Sequence, residues 1–334
     1  MKRFEREGRH TDFNSFDFLP VKLHIEKLRE EKKNMSEEKK AEIKAGKDEL
    51  NRFYGYALVD SAREKISGFA IEPPTLFKGR GKHPRAGLLK ARIQPEMVTI
   101  NLAESAPIPV CPLPGHSWGD IVHKHDVTWL CSYKDDTINP NSTHKYIFLA
   151  ANSKFKGIND RKKYEKARKL KSHIEEIRRD YSQKLESSDL KNKQLGTATY
   201  LIDKLALRVG NEKGEDEADT VGCCSLRIEH ISLQAGNKVT LDFLGKDSMQ
   251  YLNTVEVLPI VWKNIEIFMK GKNREQDLFD KIDAQILNDY LRGLMDGLTA
   301  KVFRTYNASA TLQRELNKHH LDGMKMEEKV ERYE

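Results

Sequence analysis

Residues 22 to 52, KLHIEKLREEKKNMSEEKKAEIKAGKDELNR, repeat Glu and Lys at helix-compatible spacing with few large apolar side chains, and so predict a solvated helix or helix pair. The texture changes near Phe69. From there to Leu149, short β-type runs, VTIN, VTWLCSY and KYIFLA, alternate with Pro and Gly clusters, which predicts a compact strand-rich unit. Charged helical sequence returns in DRKKYEKARKLKSHIEEIRRDYSQKL, followed by a stronger helix, QLGTATYLIDKLALRVG, with Gly210 at its expected C-cap. LRIEHISL and KVTLDF then read as strands, MQYL follows a tight turn, and the pattern from Asp277 to about Leu316 is helical. The expectation is an α+β chain without internal repeats: a helical segment over 1–68, a strand-rich region over 69–153 and a mainly α region over 154–334 holding a small β insertion.

Length and charge narrow the class. With 334 residues the chain has room for two or three domains and a sizeable core. Its 58 Lys and Arg against 51 Asp and Glu leave a formal charge of +7, the profile of a protein that meets a polyanion such as nucleic acid. The opening MKRFEREGRH has no apolar signal region, and no run approaches the roughly 18 apolar residues of a membrane span, so the expectation is a soluble, intracellular chain with no membrane partner. Cys111, Cys131, Cys223 and Cys224 lack the spacing of a zinc site and read as reduced, packed thiols.

Several segments hold residues with chemical capability. Ala198, Leu201, Ile202, Leu205 and Val209 form an apolar stripe at helical spacing, bordered by Arg208. Two roles are open for that arginine: answering the helix dipole from the last turn, or aiming a fork of donors at a phosphate. In KVTLDFLGKDSMQYL a hairpin connection of Gly245, Lys246, Asp247 and Ser248 projects Lys246 away from the sheet, where it is either solvated surface or available for chemistry. The same words fail the Walker pattern, because Thr240 stands where its first glycine belongs. ATP is not supported.

FKGRGKHPRAGLLKARI, residues 77 to 93, combines three glycines with six Lys or Arg. Gly79 and Gly81 let the backbone approach a groove or phosphate, with Arg80, Lys82, Arg85 and Lys90 supplying charge; a solvated basic turn is the other reading. It is no dinucleotide fingerprint, since the third glycine is misplaced. His123, His125 and Asp126 resemble metal ligands only superficially: the two histidines share one face of an expected strand, but no third ligand follows.

AKVFRTYNAS, residues 300 to 309, sets an arginine two positions from a tyrosine. At about 100° per residue, Arg304 and Tyr306 sit roughly 200° apart on a continuous helix. Arg304 aligns with Gly297, Ala300 and Ala308, a small-residue stripe with space for a bound group, whereas Tyr306 aligns with Val302 and Ala310 near Phe303, as core packing.

The words IEPPTLFKGRGKHPRAG, KLALRVGNEK, ADTVGCCSLR, FLGKDS and LTAKVFRTYNAS resemble the eukaryotic type IB DNA topoisomerases, in family order from about Ile71 to Leu316; residues 1 to 68 match more loosely, as part of the family's cap. The resemblance implies a DNA clamp with a mixed helix and strand cap and a mainly α catalytic subdomain, of the kind shared with tyrosine recombinases. The implied partner is duplex DNA and the implied location the nucleus. One strand is nicked through a 3′-phosphotyrosyl bond, the duplex rotates and the nick is resealed, with neither ATP nor metal required. On the matching motifs Arg208 and Arg304 correspond to the arginines that hold the non-bridging phosphate oxygens, and Lys246 to the lysine that protonates the departing 5′ oxygen. Arg80 matches a base and minor-groove contact, and Lys82 and His83 belong to the same DNA-binding loop. Asp247 stands beside the general acid, and Lys90 and Lys145 look like phosphate contacts of the clamp. In the family Arg80 and Asp247 also border the pocket where camptothecin-type poisons stack.

The family's set includes a further histidine and the nucleophilic tyrosine, and neither is found here in its expected context. His319 and His320 lie too close to Arg304, and Tyr333 lacks a Ser-Lys-x-x-Tyr-like setting. The expectation is a core truncated at both ends, inactive by itself, whose tyrosine comes from elsewhere, for instance from a second polypeptide. A DNA clamp that binds without cutting is the alternative.

Overall fold

The computed structural model describes residues 17–70, 74–134, 144–214, 217–318 and 323–333. They fall into two units, one of Met1–Gly79 with Arg85–Ile158 and the other of Arg80–Pro84 with Asn159–Glu334.

In the first unit, α1 (Leu19–Lys33) starts with proline in its first turn, and α2 (Glu37–Tyr54) starts where the Ser36 hydroxyl accepts the Lys39 amide hydrogen at 3.3 Å. Neither helix buries a residue, in agreement with a solvated pair. β1 (Tyr56–Val59) and β2 (Ala62–Lys65) form a hairpin through Asp60 and Ser61, whose positive φ values suit a two-residue turn. β3 (Thr75–Leu76) pairs with β4 (Leu89–Lys90). β5 (Val98–Asn101), β6 (Asp120–Val122), β7 (Trp129–Lys134) and β8 (His144–Phe148) make a sheet in the order β6-β5-β7-β8, in which β5 and β6 run parallel. The strand-rich character expected of this stretch is present. The pair His123 and His125 is corrected: β6 ends at Val122, so the two do not alternate along a strand, and His123 Nδ1 bonds the Leu102 carbonyl at 2.8 Å. Among the described residues no three His, Cys, Asp or Glu side chains gather as a metal site.

The second unit contains most of α3 (Lys154–Glu186), then α4 (Leu190–Leu205), the antiparallel strands β9 (Ile231–Gln234), β10 (Lys238–Leu244) and β11 (Gln250–Glu256), and α5 (Pro259–Met269), α6 (Ala284–Leu294), α7 (Ala300–Asn317) and α8 (Met326–Tyr333). Helix and strand are mixed, as an α+β chain requires. The core collects α3 residues Leu170, Ile174 and Ile177, α4 residues Leu195, Ala198, Leu201 and Ile202, the inner face of β10 and Phe303 of α7. Gly196 lets α4 lie directly on α3, because a Cβ there would come within 2.8 Å of the Tyr181 carbonyl oxygen. All four cysteines are free thiols; Cys223 is fully buried and donates to the Ala198 carbonyl at 3.6 Å.

Two local expectations are revised. The strong helix does not run to Gly210: α4 ends at Leu205, where Ala206 takes a left-handed conformation at φ 52°. LRIEHISL is a strand only in its second half, since residues 228–230 form a 3-10 turn before β9. PIVWKNIEIFM, for which the sequence sets no expectation, is the helix α5.

Candidate functional site

The end of α4 organises the site. Asp203, in its last turn, has a fully buried carboxylate held by Arg178 of α3 through Nε at 2.9 Å and Nη2 at 3.3 Å, and by the Tyr181 hydroxyl at 2.9 Å. A buried charge needs such partners, and here they tie α4 to α3. The Arg178 guanidinium is held charged well above its usual range, first by this bond, and burial beside Asp203 pushes the Tyr181 phenol up. The carbonyls that α4 leaves unpaired at its C-terminus are taken by α7. Asn307 donates to the Asp203 carbonyl at 2.6 Å, and Arg304, three residues earlier on the same face, donates through Nη1 to the Ala206 carbonyl.

Arg208 follows outside helix and strand, three residues past the helix end, so its helix-phase placement is corrected: it neither caps the dipole from the last turn nor borders the stripe as a helical residue. Its backbone is clamped instead. The Cys223 amide donates to the Arg208 carbonyl at 2.8 Å and the Cys224 amide to Val209 at 2.6 Å. This pairing brings Gly222 onto Gly210, so that a Cβ on Gly222 would lie 2.4 Å from the Gly210 Cα. The Arg208 side chain is left exposed and close enough to Arg304 for its charge, after burial, to depress the Arg304 pKa. Two cations brought together without an anion repel each other. A phosphate placed between them removes that cost.

The same clamp reaches the hairpin. The Val221 amide donates to the Leu244 carbonyl at 2.8 Å, and the Gly245 amide closes the turn on Met249 at 2.8 Å. β10 and β11 pair in register down to Leu244 and Gln250, which places Lys246 in the connection, exposed, as the sequence led us to expect. Asp247 and Ser248 both adopt positive φ there, at 67° and 57°. Against this tip lies the basic loop: the Arg80 guanidinium pairs with the Asp247 carboxylate, and Gly81, at φ 57°, faces Ser248, whose Oγ would lie 2.4 Å from any added Cβ.

Arg208, Lys246, Arg304, Arg80 and Asp247 are thus joined in one framework within the second unit, to which Lys82, exposed, and His83, half-buried, also belong. Lys90 and Lys145 are residues of the first unit. Lys90 is half-buried on β4 opposite Thr75, and the Lys145 ammonium stands over the Tyr133 ring at 5.9 Å.

Tyr306 is half-buried and packs on the core beside the fully buried Phe303, in agreement with a structural role. The small-residue stripe proposed for Arg304 is not continuous, since α7 begins only at Ala300, Gly297 precedes it at φ 69° and Ala300 is itself in the core. His319 and His320 lie outside the described residues, and Tyr333 is the last residue of α8. Sequence reasoning missed Asp203, Ala206, Gly222 and Asn307. Only Asp203 carried a signal, as a carboxylate beside an apolar stripe.

Residues 152–334 match the family model described as eukaryotic DNA topoisomerase I, catalytic core, and residues 1–149 match that of its DNA binding fragment. DNA topoisomerase 1 of Candidozyma auris is 51% identical over 323 residues, covering 96% of this chain and 42% of that protein. DNA topoisomerase 1 beta of Arabidopsis thaliana is 51% identical over 92% of the chain and 33% of its own length. The human DNA topoisomerase 1 is 48% identical over 92% and 40%. The chain therefore spans between a third and about two fifths of these curated relatives.

Proposed function

The chain belongs to the eukaryotic DNA topoisomerase I family, and from that premise we propose that it supplies the phosphate-activating part of a type IB site acting on duplex DNA. In this reading residues 1–68 are the helical part of the cap, 69–153 the strand-rich cap region that contacts DNA and 154–334 the catalytic subdomain, with relaxation proceeding in the nucleus without ATP.

The observation that carries the reading is the convergence of Arg208 and Arg304 on the framework that also fixes the Lys246 hairpin. A tyrosine oxygen, its phenolic proton released to solvent, attacks phosphorus as the bond to the 5′ oxygen breaks. Lys246 passes an ammonium proton to that oxygen, while Arg208 and Arg304 hold the non-bridging oxygens on which charge grows. Arg304 has five N–H donors, of which the Ala206 carbonyl takes one, so the guanidinium is oriented with donors to spare. Resealing is the reverse: the 5′ hydroxyl attacks the 3′-phosphotyrosyl bond and returns its proton to Lys246. Tyr306 is not the nucleophile here, because its ring serves the core. Arg80 and Asp247 then flank the cleavage position, with Lys82, His83, Lys90 and Lys145 as further DNA contacts.

Supercoil relaxation by this chain, mixed with a tyrosine-bearing C-terminal piece of a family member, tests the assignment. Activity from the mixture is expected. If it stays inactive while the same piece activates a complete family core, the assignment of Arg208, Lys246 and Arg304 fails.

A further inference from the structure

The connection between β5 and β6 runs over residues 102–119 with neither helix nor strand, and its middle, SAPIPVCPLPG at 105–115, carries no charge in a chain that is 33% charged. Parallel neighbours require a crossover of about a dozen residues, most often built as a helix. Connections of this length without secondary structure are uncommon in compact domains, and they tend to carry function. The absence of any cation in the segment makes it a poor phosphate contact.

Four prolines, at 107, 109, 112 and 114, decide its backbone. Each fixes its own φ and pushes the preceding residue towards an extended or polyproline II conformation. Together these restraints cover residues 106–109 and 111–114, leaving Val110 as the one position between them that no proline restrains. Residues 107–111 accordingly show neither turn nor bend, and Pro109 and Pro112 stand three positions apart, one turn of a polyproline II helix.

The segment is also anchored. Trp118 Nε1 donates to the Pro109 carbonyl at 2.6 Å. The His116 amide closes a turn on the Leu113 carbonyl at 3.2 Å through Gly115 at φ 79°, and the His116 ring bonds Glu96 at 3.0 Å. What these anchors hold outward is apolar. Val110 is 91% exposed, more than any other large apolar side chain among the described residues, and Ile108 is 59% exposed. An uncharged, proline-restrained ridge whose apolar side chains meet water is costly unless something covers it.

We propose that residues 107–112 are a docking segment for a protein domain with an aromatic-lined groove that reads polyproline II. Such grooves take proline rings and intervening aliphatic side chains, and a ligand already held extended loses little conformational freedom on binding. Ile108-Pro109 and Cys111-Pro112 supply two apolar-proline steps at the three-residue period these grooves follow. The proposal is independent of strand cleavage.

The test uses the full chain, isotopically labelled, titrated with an SH3, a WW and an EVH1 domain, each first shown to bind its own proline-rich control peptide. At least one domain is expected to move the amide resonances of Ile108, Val110, Cys111 and Leu113 while leaving the second unit unchanged. The pair Pro109→Ala and Pro112→Ala is expected to weaken that binding about tenfold by releasing the backbone. Val110→Glu, at a fully exposed position that the fold does not use, removes the apolar contact without touching the anchors. If no domain moves these resonances, if the variants bind unchanged, or if duplex DNA rather than a domain moves them, the proposal is wrong.

Discussion

Arg304 donates to the carbonyl of Ala206, 98 residues earlier in the chain, and thereby satisfies a helix end, while burial and then the nearby Arg208 cation lower its pKa. One guanidinium does structural and electrostatic service together. Each variant at this position therefore carries two separable effects.

Replacing Arg304 by Ala is expected to slow strand cleavage by about 10²–10³-fold, the loss typical of one donor to a charge that grows in the transition state. The Ala206 carbonyl is left without its partner, which costs about 1 kcal/mol or more of stability. Arg304→Lys keeps charge but not the fork, so it is expected to recover stability better than rate. Single-turnover cleavage of a nicked-site oligonucleotide by each variant mixed with the tyrosine-bearing C-terminal piece, with thermal unfolding of the same variants, separates the two.

Gly222→Ala tests the clamp behind Arg208. The added Cβ would meet the Gly210 backbone at 2.4 Å, where no flexible side chain can give way. A loss of about 1–3 kcal/mol is expected from the forced separation. The variant should also lose cleavage at temperatures where it remains folded. Unchanged cleavage in a destabilised but folded variant would show that Arg208 is placed by something other than this contact.

The basic loop and the hairpin tip are expected to show a compensating pair. Gly81→Ala collides with Ser248 Oγ and Cβ at 2.4 and 2.6 Å, whereas Ser248→Gly removes both atoms and relieves a positive φ of its own. The double variant should regain most of the stability lost by Gly81→Ala, keeping only the left-handed cost of about 1 kcal/mol at position 81. Additive losses in a double-mutant cycle would contradict the contact.

His230 gives the fold an acid sensitivity. Burial first, and then the Arg227 cation, hold its pKa below the usual 6.5, and its Nδ1 accepts the Arg227 amide hydrogen at 3.0 Å, which only the neutral ring can do. Glu229, Asp219 and Asp242 oppose the shift without reversing it. Between the lowered folded value and 6.5 the unfolded chain binds the extra proton, so stability is full above about pH 6.5 and falls as pH drops towards the folded value. In His230→Asn, where Oδ1 replaces the acceptor, unfolding midpoints followed from pH 7 to 5 should lose this contribution to the slope.

Much of this arrangement was legible in the residues. The hairpin that carries Lys246 followed from strand alternation around a four-residue connection, and the opposite facing of Arg304 and Tyr306 from helical phase. The end of α4 was not legible, because nothing in LIDKLALRVG marks Ala206 as left-handed: that conformation is imposed by a carbonyl bond to Arg304 and by the clamp on Arg208, both supplied by distant chain. Gly210 looked like the helix stop for the same reason, since a glycine required for close approach to Gly222 is indistinguishable in sequence from one required at a C-cap. Asp203 was visible as an anomaly, but its partners on α3 lie more than twenty positions away.

The bonds from α7 to the end of α4 span 98 and 104 residues of chain. Loop closure on that scale follows, rather than precedes, the pairing of neighbouring elements. During synthesis, a nascent chain that has completed the hairpin but not α7 holds Lys246 and Arg208 without the residue that fixes the helix end between them. The proposed phosphate site should therefore be completed late and all at once, when α7 docks, so that the half-made polypeptide carries its cations without the contact that would join them.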